Sequence, residues 1–544
     1  MRNKCLFLLM LCLPLLAGAQ KKFDYTISKP FKVIDARNKY YFSDIAKEKA
    51  LSIKIDGKDI YMQSFDAKTM KELKRKEYDD FPKGFVIEQI SWFEEHLYCF
   101  FSLWDRDAGK EQLFYREIDF DNCSFKGKEK RMLTVDGKLS GAPAAYLGMW
   151  SLGTVDKFAF LFSRDSSRML VQYRRDPEIK RDKLSHDIIG MFIFDKELNP
   201  IAGNDIKMPY TEKKMDNVDY CVDAAGTPYM LAKVYDDNTT KDTKGKGDEK
   251  TANYHMELFK VDVKAKTVST AKIEVDNQFI KDIWIYEGAG NAMLCAGFYN
   301  KKVSGWRWSS SISEGDADGL FLFKLDKDGA ILDKKFYEIP TEIINQYTKA
   351  GGKKEKEKKN NKAELAHLNL REMLIGSDNS IVLIGEQYFV ETTTDYRGNT
   401  TYSYHYNDIL IAKIDPDGSL GWMRKLPKRQ TGGAARGGMG FKRLTIGGNH
   451  YLVFLDNVKN LKLDLNERPA THADGMGGYL TAYSINDQTG IVNKVSIFDT
   501  REVAGGMEVF QFRTNRVLQI SETEFLSEFY KKDKEDVMIK IKVK

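Results

Sequence analysis

The sequence predicts an all-β protein that folds as a single β-propeller of eight four-stranded blades. Three observations favour this fold: a strand–turn–strand pattern recurs along the chain, two further strand-like runs precede most of its copies, and the two chain ends complement each other. Self-similarity at a regular spacing, here about 70 residues, indicates a repeat architecture. Seven blades are the alternative, because the unit around residues 145–205 is irregular.

The repeated pattern is an alternating apolar strand that runs into an Asp- or Asn-containing turn and then into a second strand. In its two clearest copies the apolar runs 320–325 and 409–414 lead into the turns 326–329 and 415–418, both of the form Asp-x-Asp-Gly. Weaker copies end at Asp66, Asp119, Asp195, Asp262 and Asn486, and an eighth copy covers 537–541. Period-two alternation is typical of half-buried strands, and Asp, Asn and Gly favour the turns between them.

Two more strand-like runs precede the anchor turns, and the chain ends supply the closing strand. Before Asp415 these runs are 371–375 and 380–384, which are joined by a turn of Gly, Ser, Asp and Asn. The final unit stops after its third strand at Lys544. The N-terminal extended segment 23–34 has no unit of its own. We therefore expect it to supply the missing fourth strand, so that the ring closes without an open sheet edge.

The N-terminus has the three parts of a secretory signal peptide. A basic head at 2–4 is followed by an apolar run at 5–16 and by the small residues 17–19 that precede a cleavage site. The predicted organisation is a signal peptide at 1–19 and a β-propeller domain at 20–544. We expect an exported protein that is periplasmic, at the cell surface or extracellular. No later run approaches the roughly 18 apolar residues of a transmembrane helix.

Composition and motif spacing exclude several classes of function. The chain has 85 Lys and Arg residues against 79 Asp and Glu, so it lacks the basic footprint of a nucleic-acid-binding protein. The sequence motifs of zincins, serine hydrolases and P-loop NTPases are absent. In the Asp-x-Asp-Gly turns the glycine falls at position four, whereas a calcium-binding EF-hand needs it at position six. The sequence therefore predicts no catalytic residue, no metal site and no cofactor.

The chain resembles the exported propeller-like proteins of unknown function that are common in Bacteroidota. The resemblance rests on the Asp-x-Asp-Gly turns 326–329 and 415–418 and on Gln20 directly after the cleavage site. It covers most of the chain after the signal peptide and concerns its architecture. It therefore implies the propeller fold and export, and it carries no catalytic residues with it.

Connections on the two faces of the predicted ring differ in length. In a four-stranded blade the links from strand two to strand three and from blade to blade emerge on one face. The links on the opposite face are short throughout. The links from strand two to strand three and from blade to blade include the long segments 235–253, 299–318, 341–367, 390–407 and 456–476. Long insertions on one face of a rigid scaffold are where binding residues usually lie, so we predict a ligand face there. Neutral drift in loop length is the alternative explanation.

Eight residues on this face are the candidate ligand-binding residues. Most of them carry an aromatic ring or lie beside one, and His472 is included because it could join a metal or acid–base site with residues from other blades: Trp306, Trp308, Tyr396, Arg397, Tyr402, Tyr404, His405 and His472. Aromatic faces beside Arg or His suit carbohydrate or peptide recognition through stacking and hydrogen bonds. The alternative is that the aromatic side chains cover a small core of their own or continue strand three.

The function that this pattern favours is binding or scaffolding, with a glycan, a peptide or an envelope protein as the partner on the long-loop face. The alternative is a propeller-fold enzyme that acts on glycans as a hydrolase or lyase, with its site at the mouth of the central channel. Glycoside hydrolysis needs two carboxyl groups about 5 to 10 Å apart. Paired carboxylates in a deep pocket would therefore favour the enzyme, and an aromatic rim would favour the binding protein.

The tryptophan pair gives a first test of the ligand face. We expect Trp306→Ala combined with Trp308→Ala to abolish glycan or peptide binding while the melting temperature stays nearly unchanged, because loop residues contribute little to the blades. Binding on a glycan and peptide array checks the first part, and thermal unfolding checks the second. Unaltered binding would remove this loop from the ligand face.

Overall fold

The chain is an eight-bladed β-propeller in which eight small antiparallel sheets are arranged in a ring around one axis. The computed structural model describes residues 23–141, 157–177, 182–245, 251–275, 278–290, 292–301, 317–347, 365–433, 438–473 and 477–544. The predicted fold class and blade number are confirmed, and seven blades are excluded. The predicted signal peptide at 1–19 lies outside the described residues.

The first three blades follow the predicted four-strand plan, with the first strand of blade 3 split in two. The N-terminal strands are β1 (Phe23–Ile27) and β2 (Phe31–Lys32). Blade 1 consists of β3 (Asn38–Asp44), β4 (Lys49–Asp56), β5 (Asp59–Asp66) and β6 (Glu72–Tyr78). Blade 2 consists of β7 (Val86–Phe93), β8 (His96–Asp105), β9 (Lys110–Asp119) and β10 (Ser124–Asp136). Blade 3, the unit that looked irregular, has a first strand split into β11 (Leu139–Gly141) and β12 (Ala159–Phe162), followed by β13 (Met169–Arg175), β14 (His186–Phe194) and β15 (Pro200–Thr211).

Blades 4 and 5 complete the middle of the ring. Blade 4 consists of β16 (Met215–Val222), β17 (Pro228–Tyr235), β20 (Tyr254–Asp262) and β21 (Thr267–Ile273), with a small hairpin of β18 (Thr243–Lys244) and β19 (Thr251–Ala252) between its second and third strands. Blade 5 consists of β22 (Phe279–Glu287), β23 (Met293–Asn300), β24 (Gly319–Leu325) and β25 (Ile331–Glu338). Within the Lys- and Asp-rich stretch 241–250, Thr243 and Lys244 pair antiparallel with Ala252 and Thr251.

Blades 6 to 8 carry the irregular strands. Blade 6 consists of β26 (Leu368–Ile375), β27 (Ile381–Thr394), β28 (Thr400–Ile414) and β29 (Leu420–Leu426), to which β30 (Gln430–Gly432) is added. Blade 7 consists of β31 (Lys442–Ile446), β32 (Asn449–Asp456), β34 (Tyr479–Asn486) and β35 (Val492–Asp499), and β33 (His472–Ala473) pairs with β30. Blade 8 contains β36 (Val509–Phe510), β37 (Val517–Gln519), β38 (Glu524–Lys531) and β39 (Glu535–Val543).

Helical segments are short. The described helices are α1 (Thr341–Asn345), between blades 5 and 6, and three 3₁₀ turns at Asp182–Leu184, Val458–Asn460 and Thr514–Arg516. None of the described helices has the length and apolar character needed to cross a membrane.

The ring is closed by the N-terminal strand, as predicted. Strand β1 pairs antiparallel with β39 from Phe23 opposite Val543 to Ile27 opposite Ile539, and it forms the fourth strand of blade 8. The Phe23 ring is buried and lies edge-on to Tyr451 of blade 7 at 5.8 Å between ring centres. The two ends of the chain therefore share one sheet, so that the backbone edge of β39 is paired.

Apolar cores lie between neighbouring blades rather than inside any single blade. Blades 4 and 5, for example, share a cluster that contains Leu231 and Leu258 from one blade and Cys295 and Phe321 from the next. The four cysteines that the structure describes are buried and unpaired: Cys99, Cys123, Cys221 and Cys295. Burial raises the pKa of the Cys99 thiol to about 12, which keeps it protonated and inert at neutral pH.

The closing strand gives a test of the fold. We expect Phe23→Ala to lower the free energy of unfolding by about 3 kcal/mol, because the ring is removed from the packed interface between blades 7 and 8. Denaturant unfolding of the purified chain measures this loss. The control is Thr26→Ala on the exposed side of the same strand, with an expected change within about 0.5 kcal/mol. Equal stability of both variants would contradict closure by β1.

Candidate functional site

The long connections on the predicted ligand face are carried by consecutive blades. The link between the second and third strands is short in blades 1, 2 and 8 and long in blades 4 to 7, where it covers 236–253, 301–318, the 395–399 tip of a long hairpin and 457–478. The interblade link that contains α1 covers 339–367 on the same side. The long links are therefore concentrated on one side of this face, at blades 4 to 7, which we call the raised side.

The most prominent feature on the raised side is a two-stranded ribbon. We use this name for residues 389–394 of β27 and 400–405 of β28, together with the turn between them. Their register runs from Phe389 opposite His405 to Thr394 opposite Thr400. A register shift below them marks a β-bulge, and a bulge bends the strands at that point. The prediction of a loop at 390–407 is therefore corrected: its alternating Thr and Tyr residues continue strands two and three.

The ribbon has an aromatic face. The pairs Val390–Tyr404 and Thr392–Tyr402 place Tyr402 and Tyr404 on one side of the ribbon. The Tyr402 side chain is exposed at 53%, and Val390 beside it at 40%. Two predicted residues are thus brought together, and the period-two spacing in the sequence was the signal for it.

The opposite face of the ribbon holds the predicted residue His405. Its ring is stacked on Phe389 at 4.3 Å, and its Nε2 atom lies 3.2 Å from a Glu391 carboxylate oxygen. The His367 ring also packs against Phe389 at 4.8 Å. His405 therefore stiffens the ribbon from behind, while Tyr402 and Tyr404 face the other way.

The tip of the ribbon presents Tyr396 and Arg397. Tyr396 is the most exposed large apolar side chain described, at 89%, and the Arg397 guanidinium lies 5.2 Å from its ring centre. The turn is held by Asp395, whose Oδ1 accepts hydrogen bonds from the backbone N–H groups of Arg397 and Asn399 at 2.8 and 2.9 Å. Gly398 has a φ of +83°, which this tight turn requires. The tip is therefore structured even though its side chains are open to solvent.

A buried ionic cluster supports the base of the ribbon. Glu386 and Lys428 are both fully buried and lie 2.8 Å apart, and the Arg371 Nε donates to the other Glu386 oxygen at 3.1 Å. The Lys428 ammonium also donates to the Tyr406 carbonyl at 2.8 Å and to the Gln430 side chain at 3.0 Å. Burial lowers the pKa of Lys428. These contacts tie the ribbon to its blade at the point where it bends.

Sequence reasoning missed this cluster. Glu386 ends an apolar strand run, and Lys428 follows a proline outside any strand, so neither stands out in the pattern. The two residues meet because β29 returns the chain along β28 to the base of the ribbon. The position of Glu386 at the end of an apolar run was the one signal in the sequence. It does not indicate that Lys428 is the partner.

His472 lies beneath the surface of the predicted face. It is 4% exposed, its strand β33 runs parallel to β30, and its backbone N–H donates to the Arg429 carbonyl at 2.9 Å. His472 is thus part of the support next to the ribbon and not of its exposed surface. The predicted residues Trp306 and Trp308 lie outside the described residues.

Carboxylates with raised pKa values occur on the first strands of the blades, where the alternative enzyme hypothesis would need them. Burial raises the pKa of Asp219 to about 7 and raises that of Asp282 as well. Asp219 accepts the Ile285 backbone N–H of the next blade at 2.7 Å, and Asp282 accepts that of Leu370 at 3.2 Å. Both carboxylates are therefore used to fasten neighbouring blades together. Among the described residues, no three His, Cys, Asp or Glu side chains lie close enough to hold a metal ion.

The comparisons with known proteins yield structural likeness at low sequence identity. No family model and no curated protein matches the chain. One solved structure, from a study of two prolyl endopeptidases, is 8% identical with a TM-score of 0.38 and covers 94% of this chain, which spans 55% of that one. An uncharacterized Listeria monocytogenes protein is 10% identical (TM-score 0.34; 82% and 94% covered). The WD40 domain of fission yeast SCAP is 6% identical (TM-score 0.34; 96% and 98% covered).

The ionic cluster at the ribbon base gives a test of how the ribbon is held. We expect Lys428→Met to lower the free energy of unfolding by about 3–5 kcal/mol, because Glu386 is then left buried with one of its two cations removed. Chemical denaturation measures the loss. The control is Lys47→Met, which removes an ion pair with Asp121 that is about half exposed on both sides, and it should cost less than about 1 kcal/mol. A similar small loss for both variants would contradict a buried pair.

Proposed function

We propose that this chain is an exported binding propeller whose ribbon holds an extended segment of a partner polypeptide. The observation that carries this proposal is the ribbon itself: a bent, firmly based pair of strands with open edges and exposed tyrosines on the raised side of one face. A glycan is the second class of ligand that the same aromatic side chains suit.

The edges of the ribbon favour a polypeptide partner. From residue 389 upwards, β27 pairs with β28 on one side and with no other described strand, and residues 400–403 of β28 are open in the same way. An open edge presents backbone N–H and C=O groups that an extended peptide can pair with. Natural edge strands are usually protected by Lys or Pro, and the ribbon strands contain neither.

The side chains of the ribbon favour recognition as well. Tyrosine and arginine are enriched among the residues that dominate binding energy in interfaces, and Tyr396, Arg397 and Tyr402 are all at the solvent-facing part. Because the turn and the base are held by hydrogen bonds and ion pairs, little order has to be gained on binding.

The location follows from the N-terminal pattern. A basic head, an apolar run and small residues before residue 20 support export, and the partner would then be a protein or glycan of the cell envelope.

The ribbon assignment is tested by removing its exposed rings. We expect Tyr396→Ser with Tyr402→Ser to weaken binding of a peptide selected on a peptide array by at least about tenfold, while the melting temperature stays unchanged because both rings face solvent. The matched control is Leu73→Ser with Leu332→Ser, which removes comparably exposed side chains from the outer strands of blades 1 and 5. This control should bind like the unaltered protein.

Two results would count against the proposal. If the folded protein binds glycans and no peptides on the array, the proposal of a polypeptide partner is wrong. The same variants then test whether the ribbon binds the glycan. If the tyrosine variant binds its peptide as well as the control does, the ribbon is not the binding surface.

A further inference from the structure

The seam between blades 8 and 1 buries an ion pair beside its apolar cluster. Among the described residues, its apolar cluster is the smallest of those shared by two blades, and it consists of Ala50, Phe65, Ala67, Met70, Ile520, Leu526 and Met538. Beside it lie Lys54 on β4, Glu528 on β38 and Asp536 on β39, with side chains at most 1% exposed. The seam that joins the two ends of the ring is therefore held in large part by polar contacts.

The two carboxylates of the seam lie close to one buried cation. Glu528 forms an ion pair with Lys54 at 2.7 Å and accepts a hydrogen bond from the Tyr41 hydroxyl at 2.6 Å. Asp536 lies 3.6 Å from the same Lys54 ammonium and receives no hydrogen bond from the described residues. Burial and the Glu528 charge raise the pKa of Asp536 to about 6. Lys54 thus serves as the shared cation of both carboxylates.

Three further cations face the seam, namely Lys39, Arg513 and Arg516. Arg516 is 3% exposed, and its nearest described carboxylate is Glu528 at 3.9 Å, which is beyond hydrogen-bond distance. The Nε and Nη1 atoms of Arg516 and the Nε atom of Arg513 are buried and have no hydrogen-bond partner among the described residues. Lys39 stands directly opposite Lys54 on the neighbouring strand, so two like charges lie side by side.

The electrostatic environment of these cations is positive. Burial, followed by the charges of Arg516 and Lys54, lowers the pKa of Lys39 to about 8. Burial and the Arg516 charge lower the pKa of Arg513 in the same direction. Four cations therefore share a region with two carboxylates, which leaves an excess of two positive charges with unused N–H donors.

We infer that Lys39, Arg513 and Arg516 form a binding site for a dianionic oxyanion, either a free phosphate or sulfate ion or the phosphate group of a larger molecule. Guanidinium groups present several N–H donors in one plane, which match the oxygens of such an anion. Two negative charges would balance the excess charge of the seam. Lys39 and Arg513 are only partly buried, so the anion can enter from solvent. Its binding would join the first and last blades, and it involves no residue of the ribbon.

The site is tested by calorimetric titration of the full chain with inorganic phosphate at constant ionic strength set with chloride. We expect one phosphate per chain, and we expect Arg513→Gln and Lys39→Met each to weaken its affinity about tenfold or more, because each removes a charged hydrogen-bond donor. The control is Arg106→Gln in an exposed link of blade 2, which should bind phosphate like the unaltered protein. Glycerol phosphate and inorganic phosphate compared in the same titration show whether the anion is bound free or as an ester.

The stability of the variants distinguishes a binding site from a structural role. Without phosphate, Arg513→Gln should not lower the melting temperature, because it removes an uncompensated charge rather than a contact. A clear loss of melting temperature in that variant would assign Arg513 a structural role and overturn the proposal. Absence of saturable phosphate binding to the unaltered chain, or acetate binding as tightly as phosphate, would overturn it as well.

Discussion

Ring closure is the constraint on which the rest of this structure depends. A chain of eight blades has one sheet that cannot be completed by its own consecutive residues, and here β1 supplies the missing strand to β39. Because each apolar core lies between two blades, every blade needs a neighbour on both sides. Without contact between the first and last blades, the apolar cluster of the seam would face solvent. The pairing of the two chain ends therefore holds together the one sheet that consecutive residues cannot complete.

The blades at the closing seam and the blades of the proposed binding face differ in the length of their links and in the contacts between them. Blades 8, 1 and 2 carry short links, and their seam buries Lys54 and Glu528 in direct contact. Blades 4 to 7 carry the long connections, and their interfaces are fastened by ordinary apolar clusters and by carboxylates such as Asp219. Buried ion pairs contribute little net stability but penalise wrong pairings, which suits an interface formed by distant parts of the chain. Long insertions are tolerated where the scaffold is already complete.

The ribbon, which the sequence analysis predicted to be a long loop, consists of paired strands with a defined turn. Its sequence is rich in Thr and Tyr, which favour strands, and its turn is fixed by the Asp395 side chain. The buried cluster of Glu386 and Lys428 then decides where the ribbon leaves the blade. A surface with its direction set in this way keeps its tyrosines in place before any partner arrives. Binding to the ribbon and anion binding at the seam would use separate parts of one rigid ring.

Much of the fold was determined by the sequence alone. Strand alternation and the spacing of turns such as 326–329 and 415–418 depend on neighbouring residues, so the strands, the blade number, the closing strand and the face of the long connections could all be predicted. The tertiary structure alone decided which charged residues are buried together. Arg516 and Lys39 come from opposite ends of the chain and meet only when the ring closes. Lys428 reaches Glu386 only after β29 has paired with β28. Such contacts depend on the geometry of the whole ring, so local patterns in the sequence do not predict them.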